Sequence, residues 1–313
     1  MTLRVSPAPH IVDKQTTRSL MGNVLISLLP TTLCGLYFFG KRAALVLLVS
    51  TLSAVLCELM WQLLTRKKVT VFDLSAAVTG LLVGLSLPSI VPLWMPALGS
   101  AIAIILVKQL FGGLGQNFMN PALFARGVLL ASWPALMTKS YEPIRAMLSS
   151  TAKVGVDTVA AATPLSSTFS TWDLIIGNVP GAIGEVAKIA ILLGLAYLLF
   201  TKTITWLIPT LFIGTVVVFS LIVGNDPLNT VLTGGVLFGA VFMATDYVTT
   251  PMLKVGQAIF SILCGVIVVV IRKWGGYPEG VTYAILFMNC LTPLIDRYTK
   301  RKVYGEVKKN VKK

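Results

Sequence analysis

Prolines, glycines and short basic clusters cut the chain into ten apolar runs, most of them near the length of a bilayer crossing. A spanning α-helix needs about 20 apolar residues, fewer where it is broken or packed among neighbours. The runs cover 22–39, 43–64, 74–88, 93–107, 120–134, 183–201, 203–223, 227–245, 256–271 and 280–296. The third to fifth are short and are flanked by Pro88, Pro92, Pro121 and Pro134. In lipid each backbone N–H and C=O must find its partner within the protein, so such runs predict helices. The expected fold is therefore an all-α integral membrane protein with about ten transmembrane helices. Composition agrees, with 55% hydrophobic and 12% charged residues, against about 25% charged in an average soluble domain. A soluble globule so poor in charge would expose too much apolar surface. This excludes an ordinary cytoplasmic enzyme, a disordered regulator and a secreted disulfide scaffold.

The formal net charge is +14. In a soluble chain that excess would suggest nucleic acid, but here the bases cluster between apolar runs and at the ends. The tail from Arg297 to Lys313 alone holds eight. With the N-terminus in the cytoplasm, 17 of the 26 Lys and Arg fall inside and 7 outside, with Arg126 and Lys188 within spans. Cytoplasmic bases in excess set membrane orientation, so both termini are expected in the cytoplasm. Residues 1–20 are polar, carry Arg4, Lys14 and Arg18, and do not have the pattern of a cleavable signal peptide. Cys34, Cys57, Cys264 and Cys290 stand alone in apolar runs, and the sole histidine is His10. No metal or cluster site is expected from them, and they read as buried, inert thiols.

The two halves resemble each other. VTGLLVG at 78–84 answers LTGGVLFG at 232–239, and Lys108 before FGG at 111–113 answers Arg272 before WGG at 274–276. Five spans per unit is an odd number, so the second unit enters from the opposite side. That is an inverted repeat of the transporter type, with sites near broken helices, and Thr79–Gly80 and Thr233–Gly234 mark the expected breaks. The domain reading follows: 1–21 a cytoplasmic segment, 22–134 the first five-helix repeat, 135–182 an outer loop, 183–296 the second repeat and 297–313 a basic cytoplasmic tail. The loop is rich in Ser, Thr and Ala, and loops of this length usually carry function or disorder.

Charges inside a membrane are costly when unpaired, so each is a functional candidate. Here they are Glu58, Arg126, Glu185, Lys188 and Asp246. Glu185 and Lys188, at i and i+3, could pair on one helix face. Glu58 has no obvious local partner. Asp246, in MATDYVTTP at 243–251, reads either as helix termination before Pro251 or as a cation or flavin contact among Thr245, Thr249 and Thr250. In GGLG at 112–115, Gly112 and Gly113 form a turn whose N–H groups could face an anion or a ring system. No Walker A or dinucleotide-binding fingerprint is found.

Assembled in order, these segments are similar to the family that contains the D subunit of the Rnf complex and the B subunit of the sodium-translocating NADH:quinone oxidoreductase. The resemblance covers about residues 9–297. It rests on PH at 9–10 with TT at 16–17, SAAVTGLLVGLSLP at 75–88, KQLFGGLGQNFMNPAL at 108–123, ATPL at 162–165, GAVFMATDYVTTP at 239–251, GGYPEGVTYAILFMN at 275–289 and PLID at 293–296. The compact length and the ATPL context look more like the Rnf branch. The resemblance implies an FMN joined by a phosphoester to a threonine within D-x-x-[ST]-G-A-T. Thr163 matches the acceptor and Asp157 the upstream acid read by a flavin transferase, while Ala160 and Ala161 replace the usual Ser/Thr and Gly. It also implies the A, B, C, E and G subunits of an Rnf-type complex as partners, electron transfer between ferredoxin and NAD, and coupled movement of Na+ or H+. The expected location is a bacterial or archaeal cell (inner) membrane. Some relatives hold a second, noncovalent flavin (riboflavin) between the repeats. The glycine loop and the segment of Asp246 and Thr249 are its candidate walls, with Arg126 another flavin-binding candidate. Glu58 and Asp246 are candidates for the ion path.

The leading reading is thus a flavin-carrying electron-transfer subunit, incomplete as an enzyme alone because it lacks NAD and iron–sulfur motifs. A secondary transporter without covalent flavin and a scaffold for redox neighbours are the alternatives.

Overall fold

Strong apolar runs need helices, and the regular elements among the described residues of the computed structural model are all helices, with no strand. The structure describes residues 15–138, 171–177, 179–275 and 279–300. The first helix, α1, runs Thr17–Leu64, with Gly40 as its one non-helical residue at φ 64° and ψ −147°. Glycine alone takes that region without strain, so the two apolar runs on either side become two arms of one element. Thr16 starts it, its hydroxyl accepting from the Ser19 N–H at 3.2 Å. Next come α2 at Ser75–Leu85, α3 at Trp94–Ala101, α4 at Pro121–Ser132 and the short α5 at Pro134–Met137. A π-helix at Ile102–Gln109 prolongs α3. In the second half, α6 is Thr171–Ile176, α7 Lys188–Phe200, α8 Leu207–Val223, α9 Pro227–Leu232 and α10 Val236–Phe238. A second π-helix at Gly239–Met243 follows, then α11 at Lys254–Trp274 and α12 at Val281–Thr299.

The molecule is apolar outside and polar at selected places inside. Leu29, Leu33, Leu48, Leu52 and Leu56 of α1 are exposed, whereas Ser50, Glu58 and Gln62 of the same helix are buried. That inversion suits a lipid surround rather than water. By length and composition α1 and α11 can cross a membrane, and α2, α4, α7 and α8, with the α3 and π stretch, are shorter apolar helices.

Three expectations need correcting. The sixth apolar run was expected to be helical from residue 183, but α7 begins only at Lys188. Residues 183–187 instead serve the open end of α2, where the Ile183 N–H bonds Leu87 O at 3.1 Å and the Gly184 N–H bonds Leu85 O at 2.7 Å. Leu85 O is among the carbonyls a helix leaves unpaired at its C-terminus, and Leu87 O lies in the turn that follows. Second, the expected break at Thr233–Gly234 is present, with Gly234 at φ 49° between α9 and α10, but Thr79–Gly80 lies inside an unbroken α2. Gly80 serves close packing there. Ser50 Oγ donates to Gly80 O at 2.5 Å, and Ser100 Oγ donates to Ser50 O at 2.8 Å, joining α1, α2 and α3. Third, of the four free thiols only Cys264 is buried, Cys34 and Cys57 are half-buried, and Cys290 is exposed.

A Cβ on Gly80 would stand 2.8 Å from both Ser50 O and Thr51 Cα. Backbone cannot yield as a flexible side chain can, so Gly80→Ala should force α1 and α2 apart at a cost of about 1–3 kcal/mol. Thermal unfolding in detergent would check this. An unchanged midpoint would show that the contact is looser than its geometry.

Candidate functional site

The interior holds two buried charge clusters and a cavity that joins residues of both halves. The first cluster centres on Glu58, in the second arm of α1. Lys108 Nζ reaches Glu58 Oε1 at 2.8 Å and Oε2 at 2.9 Å. Gln109 Nε2 donates to Glu58 Oε1 at 2.8 Å, and Gln62 Nε2 donates to it at 3.3 Å. Lys108 Nζ also donates to Ser75 Oγ at 2.6 Å, and Ser75 in turn donates to Asp73 Oδ1 at 2.5 Å. Lys108 and Gln109 are both 3% exposed. Both stand at the end of the first π-helix, and π-turns interrupt the regular α-helical progression of side chains. A carboxylate that accepts this many donors, one of them an ammonium, is well compensated for its loss of water.

The second cluster joins the halves. Arg126 Nη1 donates to Glu185 Oε1 at 2.5 Å, and Nη2 donates to Glu279 Oε2. The planar guanidinium fork lets one cation serve two carboxylates. Glu185 and Lys188 do not pair through their side chains as the i, i+3 spacing suggested. Glu185 precedes α7, its carboxylate goes to Arg126, and Lys188 Nζ donates to the Glu185 backbone carbonyl. Nearby, Arg272 donates to the carbonyls of Thr230 at 2.5 Å, Thr233 at 3.0 Å and Gly234 at 3.3 Å. These carbonyls are exposed by the break after α9, so Arg272 closes that helix end.

The cavity lies between the halves. On one side stand Ser75, Val78 and Thr79 of α2 with Lys108, and on the other Phe242 and Thr245–Val248. Leu114 and Asn117 of the glycine loop and Leu198 of α7 also line it. Its enclosed part holds about 110 Å³ and opens into a wider mouth. The two π-helices end beside it, one at Lys108 and Gln109, the other just before Thr245 and Asp246. Asn120 ties these walls together. Its side chain caps α4 at the Ala122 and Leu123 N–H groups and donates to Met243 O at 3.1 Å.

Asp246 lies in the connection after the second π-helix. Thr249 Oγ1 donates to its carboxylate at 3.2 Å, and no salt bridge reaches it among the described residues. The Val248 backbone and Asn117 also donate to it. Unlike Glu58, it is an acid of the cavity wall with no ammonium or guanidinium paired to it among the described residues.

The candidate residues are therefore not one site. Asp246 lines the cavity and Thr249 supports it. Gly112 and Gly113 do not line the cavity: the Gly112 N–H bonds Gln109 O at 3.2 Å and the Gly113 N–H bonds Lys108 O at 2.9 Å. Their amides close the preceding helix, and Leu114 and Asn117 are the part of the loop that faces the space. Arg126 belongs to the second cluster, and Glu58 stands behind Lys108. Asp157 and Thr163 lie outside the described residues. Sequence reasoning missed Lys108, read as a loop base, together with Ser75, Gln109, Asn117 and Glu279. The one available signal was a Lys-Gln pair at the end of an apolar run.

A family model for the NQR2, RnfD, RnfE family matches residues 4–305. The chain belongs to this family. Among its relatives, the D subunit of the Na(+)-translocating ferredoxin:NAD(+) oxidoreductase complex of Acetobacterium woodii is 46% identical over 325 residues, covering 100% of this chain and 99% of that one. The D subunit of the proton-translocating ferredoxin:NAD(+) oxidoreductase complex of Clostridium ljungdahlii is 38% identical, covering 96% of each chain. The D subunit of the ion-translocating oxidoreductase complex of Escherichia coli strain K12 is 35% identical, covering 98% of this chain and 100% of its own. Family membership and the apolar helices together make this a membrane protein.

Proposed function

We propose that this chain is the flavin-carrying D-type subunit of an Rnf complex, in which electron transfer between ferredoxin and NAD drives Na+ or H+ across the membrane. The observation that carries this reading is likeness over the whole length to D subunits named for that activity. The chain is an oxidoreductase and translocase component, with the rest of the chemistry on subunits of the A, B, C, E and G types. It has ten spans in two inverted five-helix repeats, and both termini face the cytoplasm of a bacterial or archaeal cell. Support comes from the basic excess on that side and from the similar packing of the two halves. In the first half α1 packs on α2 and α3, and in the second α8 packs on α9 and α11.

A flavin transferase joins FMN to Thr163 on the outer side, with Asp157 as the upstream acid of its motif. A covalent flavin supplies one- and two-electron chemistry that side chains lack, and the tether holds it at high local concentration. A second, noncovalent flavin occupies the cavity between the halves. The walls suit it, because a flat ring system needs apolar faces and polar edges. Val78, Leu198 and Phe242 offer the former, and Asn117, Thr79, Lys108 and Asp246 the latter.

Of the two acids on the expected ion path, Asp246 is the one that takes the ion. Glu58 has Lys108 as its built-in cation, whereas Asp246 has none among the described residues and stands in the cavity wall. The test uses inverted membrane vesicles with ferredoxin-dependent NAD reduction and ion uptake followed together. Removing this chain should abolish both. Asp246→Asn, nearly isosteric, should lower ions moved per electron severalfold while the complex still assembles. An unchanged ratio would remove Asp246 from the path.

A further inference from the structure

The cavity wall contains Lys108 but not its partner Glu58, which lies behind it. The pair is neutral overall, and its positive member is the one that lines the cavity. The ammonium donates to Glu58 Oε2 and Ser75 Oγ and lies 2.8 Å from Glu58 Oε1, so it is held at one place. Gln109 and Gln62 hold Glu58 in turn. Asp246, with the opposite sign, lines the same cavity. The space therefore has a positive and a negative wall, and fields inside a low-dielectric interior act strongly.

We infer that the Lys108–Glu58 pair sets the redox preference of the cavity for its flavin: Lys108 attracts the charge of the reduced ring, and Glu58 is the positioning residue that fixes Lys108 and limits its field. This rests on the proposal that a noncovalent flavin occupies the cavity. Reduction by dithionite gives the ring two electrons, and with one proton taken up the ring carries one negative charge. That charge interacts favourably with the ammonium. The oxidised ring is neutral and gains little. The pair thus tightens the reduced form relative to the oxidised form, and Glu58 keeps the difference small enough for the flavin to give its electrons up again.

The consequence is a set of signs that a purely structural role would not produce. Glu58→Gln keeps shape and hydrogen-bonding capacity but leaves Lys108 with its full field. The ratio of reduced to oxidised affinity for riboflavin should rise on the order of tenfold. Lys108→Gln leaves the Glu58 charge beside the cavity and should move the ratio by a similar factor the other way. The double variant Glu58→Gln/Lys108→Gln restores neutrality and should return near the native ratio. It also avoids an unpaired buried carboxylate, which could stop the Lys108 single variant from folding.

The measurement is release of extractable riboflavin from the purified whole complex into excess buffer, with and without dithionite. Covalent flavin remains on protein and does not interfere. A raised ratio for Glu58→Gln with a near-native double variant supports the inference. If the native complex releases riboflavin normally and Glu58→Gln shares its ratio, the inference falls while the flavin reading stands. A native complex without extractable riboflavin overturns the flavin reading of the cavity and the inference with it.

Discussion

Thr163→Ala should remove the covalent flavin from this chain completely. The phosphoester needs a hydroxyl, and Thr163 holds the acceptor place of the family motif, six residues after Asp157. Thr158 is the other nearby hydroxyl before it, but it stands one residue after Asp157 and out of register with the acceptor. Alanine removes the nucleophile and leaves the loop otherwise small and polar, so the membrane helices should fold as before. The chain purified from cells that contain the flavin transferase should fluoresce on a denaturing gel and carry the mass of FMN less water. Both signals should vanish in Thr163→Ala. Asp157→Ala should weaken them, since the acid is read by the transferase and is not itself bonded to the flavin. Restoring the usual motif residues with Ala160→Ser and Ala161→Gly should leave the site of attachment unchanged. A fluorescent band that persists in Thr163→Ala would place the flavin on another residue. Its absence from the native chain would return the transporter and scaffold readings to first place.

The largest loss of stability is expected at Arg126. Its guanidinium serves Glu185 before α7 and Glu279 before α12, so one side chain on α4 clamps three separate parts of the fold. Arg126→Met would leave two carboxylates near each other with their shared cation gone. Truncating one partner of a buried pair costs about 3–5 kcal/mol, a large share of the 5–15 kcal/mol typical of a folded domain. Arg126→Lys should recover only part of this, because an ammonium lacks the planar fork that reaches both acids. Arg126→Met combined with Glu185→Gln and Glu279→Gln should not recover the native stability, because Lys188 and Arg272, buried beside these acids, then lose their counter-charges. Melting of the detergent-solubilised protein, followed by size-exclusion chromatography after heating, reads all three. A single or a triple variant as stable as the native chain would show that the cluster does not carry this load.

The difference between these two predictions reflects how much a local sequence can say. A hydrocarbon surround imposes its demand on each segment separately, so the apolar runs located the helices without knowledge of their neighbours. The Gly40 break fell between two runs, and the Thr233–Gly234 break fell where small residues interrupt one. The same dipeptide at Thr79–Gly80 misled, because a glycine can open a helix or let another backbone come close, and only the α1 contact decides between them. Lys108 looked like a loop base for a related reason. Its environment is set by Glu58, 50 residues earlier, and by the π-helix that carries it inward.

Membrane character, the approximate helices, the family resemblance and the candidate flavin acceptor were all legible along the chain. Each depends on residues close together in sequence or on their order. The packed fold was needed to learn which charges are paired, which candidate residues share a space, and which end of an ion pair faces it. Arg126 meets partners 59 and 153 positions away, and Asn120 reaches a carbonyl 123 positions away. Electrostatic partnership depends on distance in space and on exclusion of water, and neither quantity is written in the spacing of residues along a chain.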